Sequence, residues 1–148
     1  MDPAGLPQLP PVAAVPLVRT DFSDDEAWTV TSREVTGIHL LSHGDVARAY
    51  VDPVDDTGFD GLTAEQLCRL VPPGREWSLL LVADRTAMSS VEHHVLVVDL
   101  DEDTLGRTFR AVPEAIPDVE TNLSIGNMDW EDFANSADDD GVFRPLWG

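Results

Sequence analysis

Lysine is absent from this sequence, and the 28 acids are faced by nine arginines alone, for a formal net charge of −19. A field that negative repels phosphate backbones and anionic lipid head groups, which argues against direct binding to nucleic acid or to a membrane surface. There is one cysteine, Cys68, so no internal disulfide forms; this fits a reducing compartment, and a cytoplasmic location is the expectation. No apolar run reaches the 18 residues of a membrane span. Basic residues are also missing from the start, "MDPAGLPQLPPVAAVP", where five prolines break the apolar region. A signal peptide is therefore not expected, and residues 1–14 read as a flexible, proline-rich arm. The all-arginine set suggests a GC-rich, actinobacterial genome.

What is present suits a soluble domain. The 148 residues are 43% hydrophobic and 25% charged, enough for one core. "AVPLVRT" (14–20) reads as a strand. "FSDDEAW" then opens a helix, with Ser23 as cap, Glu26 completing a capping box, and Gly37 as the stop. Residues 46–52 alternate like a half-buried strand, and the loop "DPVDDTGFDGL" follows. In "LTAEQLCRLVPPG", Thr63 and Gln66 form a second capping box, Leu67, Leu70 and Val71 make the buried stripe, and two prolines end the helix. "WSLLLVAD" (77–84) and "HVLVVDL" (94–100) are short continuous apolar runs, as in strands covered on both faces. The nine residues between them look like a loop, too short for a helical crossover, so the two strands are either an antiparallel pair or not neighbours. Residues 106–112 suggest a strand at an edge, and Pro117 suggests a helix interrupted part-way. Trp130, Phe133, Ala134 and Ala137 lie on one helical face. The expected fold is α/β: a single compact domain over 15–148, with a mixed sheet of about five strands covered by three or four helices.

The motifs of chemistry are mostly incomplete. His39 and His43 have i, i+4 spacing, but the glutamate of a zinc-protease helix is missing and flanking glycines suit a strand or loop. His93 and His94, being adjacent, would point to opposite faces of a strand. The acidic turns "DLDEDTLG" and "SADDDGVF" lack the glycine or the bidentate glutamate of an EF-hand. There is no nucleophile elbow and no phosphate-cradling glycine loop. Cys68 lies beside apolar helix positions and reads as an inert thiol. Neither a metal nor a cofactor is expected.

Two sets of residues remain as candidates. Asp138, Asp139 and Asp140, followed by Phe143 and Trp147, offer acids next to aromatic anchors, the makings of a partner surface. Asp84, Arg85, Asp99 and Arg110, with Asn122 and Ser124, are polar residues placed near strand ends, where α/β domains bind ligands. The stretch "NLSIGNMDWEDF" (122–133) reads chiefly as entry into the last helix, capped by Asn127 or Asp129.

The segments "VRTDFSDDEAW", "DGLTAEQL", "LLVADRTAM", "VLVVDL", "FRAVPEAI" and "NLSIGNMDWEDFANSADDDGVFR" together resemble a family of small acidic actinobacterial proteins, DUF6924. The resemblance implies one compact domain and a bacterial source, and it brings no activity, cofactor or site residue. Charge and the missing catalytic motifs make a non-catalytic accessory, stabilising or immunity-type subunit for a basic protein the leading expectation. A small enzyme or ligand-binding domain of bacterial specialised metabolism is the alternative, and self-association into a homo-oligomer is left open.

Overall fold

The computed structural model describes residues 8–9, 14–40, 44–72, 75 and 77–144. Its main sheet has six strands in the order β4-β1-β5-β6-β7-β8, beside a two-stranded ribbon, β2-β3. The strands are β1 (Val15–Arg19), β2 (Ile38–Leu40), β3 (Val46–Arg48), β4 (Val51–Val54), β5 (Leu79–Ala83), β6 (Val95–Asp99), β7 (Thr108–Ala111) and β8 (Val142–Phe143). The helices are α1 (Asp25–Thr36), α2 (Ala64–Cys68), α3 (Arg85–Ser89), α4 (Ile116–Ser124) and α5 (Trp130–Ala134). The α/β expectation holds, with one more strand in the main sheet than expected and a separate ribbon.

Burial explains the centre. Every residue of β1 and β5 is buried, so both faces of these strands are covered and uninterrupted apolar runs are the appropriate sequence. β1 pairs in parallel with β4 on one side and β5 on the other. The chain thus leaves β1 toward one edge through α1 and returns past it through α2. β5 and β6 are antiparallel neighbours, as their short connection requires.

Several local details differ from the sequence reading. The cap of α1 is Asp24, whose carboxylate accepts from the Ala27 amide at 3.0 Å, and not Ser23. An aspartate there adds a full charge at the positive end of the helix, which a serine does not. The strand expected over 46–52 is broken at Ala49 and Tyr50 into β3 and β4. The connection between β5 and β6 holds helix α3, capped by Asp84. Pro117 lies in the first turn of α4, where its missing N–H is no loss, so it begins the helix and does not interrupt it. β7 is not an edge, because β8 pairs with it in parallel. The second capping box, Thr63 with Gln66, forms as expected.

Most of the arm over 1–14 lies outside the described residues, as do His43 and Trp147. Within it, Leu9 departs from a free arm: its side chain is buried and its amide donates to the Leu70 carbonyl at 2.9 Å. The open edge of the main sheet is managed by β4, four residues long with Pro53 inside it, which removes a donor and discourages strand addition.

Two comparisons test this account by urea unfolding. Asp24→Ala should cost about 1 kcal/mol, and Ser23→Ala less than about 0.5 kcal/mol; the reverse order would restore Ser23 as the cap. Leu81→Ala, at a fully buried site, should cost about 2–5 kcal/mol. Val91→Ala, at a site 96% exposed, should stay within about 0.5 kcal/mol.

Candidate functional site

Polar side chains gather at both ends of the sheet. The carboxyl ends of β1, β4, β5 and β7 share one end, because these strands are parallel or separated by the antiparallel β6. There Asp84 follows β5 and caps α3 with an oxygen accepting from Ala87 N at 3.0 Å. The same carboxylate meets Arg110 of β7 in a two-pronged pair: Nη1 donates to Oδ1 at 3.1 Å and Nη2 to Oδ2. Arg110 also donates to the His94 carbonyl at 3.2 Å. The arrangement is a fork matched to a carboxylate, and it closes the end of the β5-β6-β7 layer.

At the neighbouring end of β1, Arg19 is buried. Its guanidinium lies 4.3 Å from the Phe22 ring centre and 5.5 Å from that of Trp28. It donates to Asp25 at 2.6 Å, to Asp55 at 3.4 Å and to the Asp21 carbonyl at 3.0 Å. Two aromatic faces shield the cation from water, and the two carboxylates compensate its charge. Beyond β8, Arg144 binds three acids at once: Glu92 through both oxygens at 2.7 and 2.8 Å, Asp138 at 2.6 Å and Asp140 at 2.8 Å. Hydrogen bonds from Arg144 hold Glu92 and Asp140 below the usual carboxylate range, and those three acids raise Arg144 above its own.

The opposite end holds Asp99, since β6 runs against β5 and Asp99 stands across from Leu79. Asp99 is buried and its hydrogen bonds are filled. Oδ2 accepts from Thr104 Oγ1 at 2.6 Å and Arg107 Nε at 2.9 Å, and Oδ1 from Asp101 N at 3.0 Å. Arg107 continues to Glu131 at 2.6 Å and lies 5.4 Å from the Trp130 ring centre. A cavity of about 240 Å³ opens here, with Ser78, Met128 and Asp129 in its wall. The stretch from Leu123 to Glu131 therefore contributes to a concavity as well as to the entry of α5. From it, Asn127 donates to Asn122 at 2.8 Å and Asp129 N to Asp132 at 2.9 Å.

The two candidate sets fare differently. Asp84 and Arg110 are brought together, Arg85 is exposed beside them, and Asp99 is at the far end of the sheet. Asn122, half-buried, and Ser124, exposed, bond back along α4: Asn122 donates to the Asp118 carbonyl at 2.8 Å, and Ser124 donates to Glu120 at 2.8 Å. Glu120, also buried, accepts from Tyr50 N at 2.7 Å. Phe143 is half-buried and packs edge-on against Phe133, with ring centres 5.2 Å apart, so it is an anchor for this chain's own core. Asp138 and Asp140 pair with Arg144, while Asp139 is exposed. The cap of α5 is Asp129, with Asp132 completing a capping box. Sequence reasoning did not single out Arg107, Glu92 or Arg144. The one signal was general: in a chain this short of cations, each arginine has many carboxylates to meet.

Among the described residues no group of three or more His, Cys, Asp or Glu side chains is arranged to hold a metal ion, and no helix is long and apolar enough to cross a membrane. Burial pushes the Cys68 thiol above its ordinary value, helped by the carboxylates of Asp99 and Glu65, which suppresses the nucleophilic thiolate.

Fold and charge thus define an α/β domain whose polar side chains brace its own sheet ends beneath an acidic surface. The chain belongs to DUF6924, a domain of unknown function, whose family model matches residues 14–146. No curated protein matches it.

Two measurements probe the braces. Arg110→Gln leaves the part-buried Asp84 charge without its fork and should destabilise by about 1–3 kcal/mol. Asp84→Asn in the same chain should cost less than it does alone, and simple additivity would show that the two groups are not coupled. His94 supplies a pH test: burial, then the Arg110 charge, lowers its pKa, and its Nδ1 is buried with no hydrogen-bond partner in the structure. The unfolded chain takes up this proton below a pH of about 6.5 and the folded chain resists it. Stability should therefore fall as pH drops through that value, down to the lowered folded pKa. His94→Gln should remove that part of the slope in unfolding curves at pH 7.5, 6.5 and 5.5; an unchanged slope would acquit His94.

Proposed function

We propose that this domain is a non-catalytic interaction subunit, an accessory, stabilising or immunity-type protein, that binds a more basic protein partner. The observation that supports this best is how the few cations are used. Among the described residues, Arg19, Arg69, Arg107, Arg110 and Arg144 are held in ion pairs with the chain's own acids. The excess of carboxylates therefore faces outward. Exposed acids recur at Asp24, Asp25 and Glu26, at Asp52, Asp55 and Asp56, at Asp101, Glu102 and Asp103, and at Asp138, Asp139 and Asp140. Such a field speeds encounter with a positively charged surface and disfavours anionic ones. It also supports the reading that nucleic acid and membranes are not partners and that a cytoplasmic protein is.

The alternative, a small enzyme or ligand-binding domain, receives less support. Asp84, Asp99, Arg107 and Arg110 are already bound to one another in pairs.

The test is affinity capture on the immobilised chain in the native host's extract, followed by reconstitution with the purified candidate. A basic protein should be retained at about 0.05 M salt and released near 0.5 M, as screening of surface charge demands. Triple replacement Asp138→Asn, Asp139→Asn and Asp140→Asn should slow association more than it speeds dissociation. Retention of only acidic proteins, or binding indifferent to salt, would end this reading.

A further inference from the structure

The last described segment of the chain is attached in an unusual way. β8 is two residues long, and β7 donates to it from Arg110 N to the Gly141 carbonyl at 3.1 Å and from Val112 N to the Phe143 carbonyl at 3.2 Å. Apolar attachment is confined to two adjacent residues: Val142 is buried in the core and Phe143 is half-buried against Phe133, whereas residues 138–141 are exposed. The turn before β8 is closed on itself. Gly141 N donates to the Asp138 carbonyl at 2.8 Å, Asp138 N to the Val142 carbonyl at 2.9 Å, and Val142 N to Asp140 at 3.1 Å. Gly141 has a φ of 80°, a left-handed conformation that a residue with a side chain rarely adopts. The segment is thus a preformed unit whose apolar ties to the sheet come from Val142 and Phe143 alone.

Its other side-chain tie is ionic. Arg144 binds Asp138 and Asp140 within the segment, and both oxygens of Glu92 outside it. Glu92 stands on a firm base. The turn carrying it is closed by His93 N donating to the Ser90 carbonyl at 3.2 Å, and Glu92 N donates to Ser90 Oγ at 3.1 Å. His93, with a φ of 51°, is held by its Nδ1 against Thr31 Oγ1 at 3.1 Å and the Ala87 carbonyl at 3.2 Å. Thr31 and Ala87 are both fully buried. One partner of the pair is anchored to the core, and the other rides on a compact flap.

We propose that residues 137–144 form an electrostatic strap over the outer edge of β7, closed by the Arg144–Glu92 pair and lifting as one unit when that pair is broken. Lifting it bares the amides of Arg110 and Val112 and the Phe133 face that Phe143 covers. A strand edge with free amides is a template for pairing with another chain. The closed strap therefore shields this edge of the sheet, and it does so with Asp138, Asp139 and Asp140, which also belong to the acidic surface proposed above.

Amide-resolved hydrogen exchange on the full chain tests this. Glu92→Gln cuts the tie to the body and keeps the arginine's bonds within the strap. It should speed exchange at Arg110 and Val112 at least about tenfold, while Val82 and Val97 in the sheet centre change less than about twofold. Wild type in 1 M rather than 0.05 M sodium chloride should show the same local pattern. Asp139→Asn, which removes an exposed acid of the strap not bonded to Arg144, should leave Arg110 and Val112 unchanged. Uniform acceleration across the sheet would mean global destabilisation and overturn the strap. So would an unaltered rate at Arg110 and Val112 in Glu92→Gln, since strand pairing and Phe143 would then suffice to hold it. Arg144→Gln adds a more severe version, and Glu92→Gln carries the test if that variant fails to fold.

Discussion

Scarcity of positive charge governs how this domain is put together. With 28 acids and nine arginines, carboxylates placed at random would mostly repel one another. Stability then depends on where the cations are. Arg107 joins Asp99 in the sheet to Glu131 on α5, Arg110 joins β7 to the start of α3, and Arg144 joins the end of the described chain to the turn before β6. Each spans segments distant in sequence. Surface ion pairs contribute little in isolation. A half-buried guanidinium with two or three carboxylates is different, because losing it strands several negative charges beside one another.

Arginine suits this work better than lysine would. Its fork meets both oxygens of Asp84 and of Glu92, its plane stacks on Phe22 and Trp28 at Arg19, and its charge is not lost on burial. A lysine at position 110 would keep the charge and lose one of the two prongs. The all-arginine set was read from the sequence as a mark of genome composition. The structure gives it a physical use as well: planar cations, of which Arg19, Arg107 and Arg144 each bind two or three acids.

The central architecture was legible because burial leaves a plain mark. Strands covered on both faces must be apolar throughout, and β5 and β6 announced themselves that way; their short connection already excluded a parallel neighbour arrangement. The second capping box was legible for the same local reason. Other elements were hidden by ambiguous chemistry. α3 is five residues long, too short to show a hydrophobic period. β8 is a two-residue strand whose pairing depends on β7, some thirty residues earlier in the sequence. Pro117 breaks a helix in its interior and starts one in its first turn, and sequence alone does not say where the turn begins. Ser23 and Asp24 are both good caps, and the choice fell to the residue carrying charge.

The candidate polar residues show the same limit from the side of function. Asp84 and Arg110 were singled out separately and belong together, because strand order decides which ends are neighbours. Asp99 was grouped with them and is at the other end, because β6 runs antiparallel. Asn122 and Ser124 were candidates for a polar site and are engaged by Asp118 and Glu120 of their own helix α4. Burying those two acids requires such partners, since an unpaired buried carboxylate is costly. In a chain so rich in acid, a polar residue near a carboxylate is first of all a means of tolerating that carboxylate. A site for another molecule has to be argued from acids that remain after these internal obligations are met, and those lie on the surface.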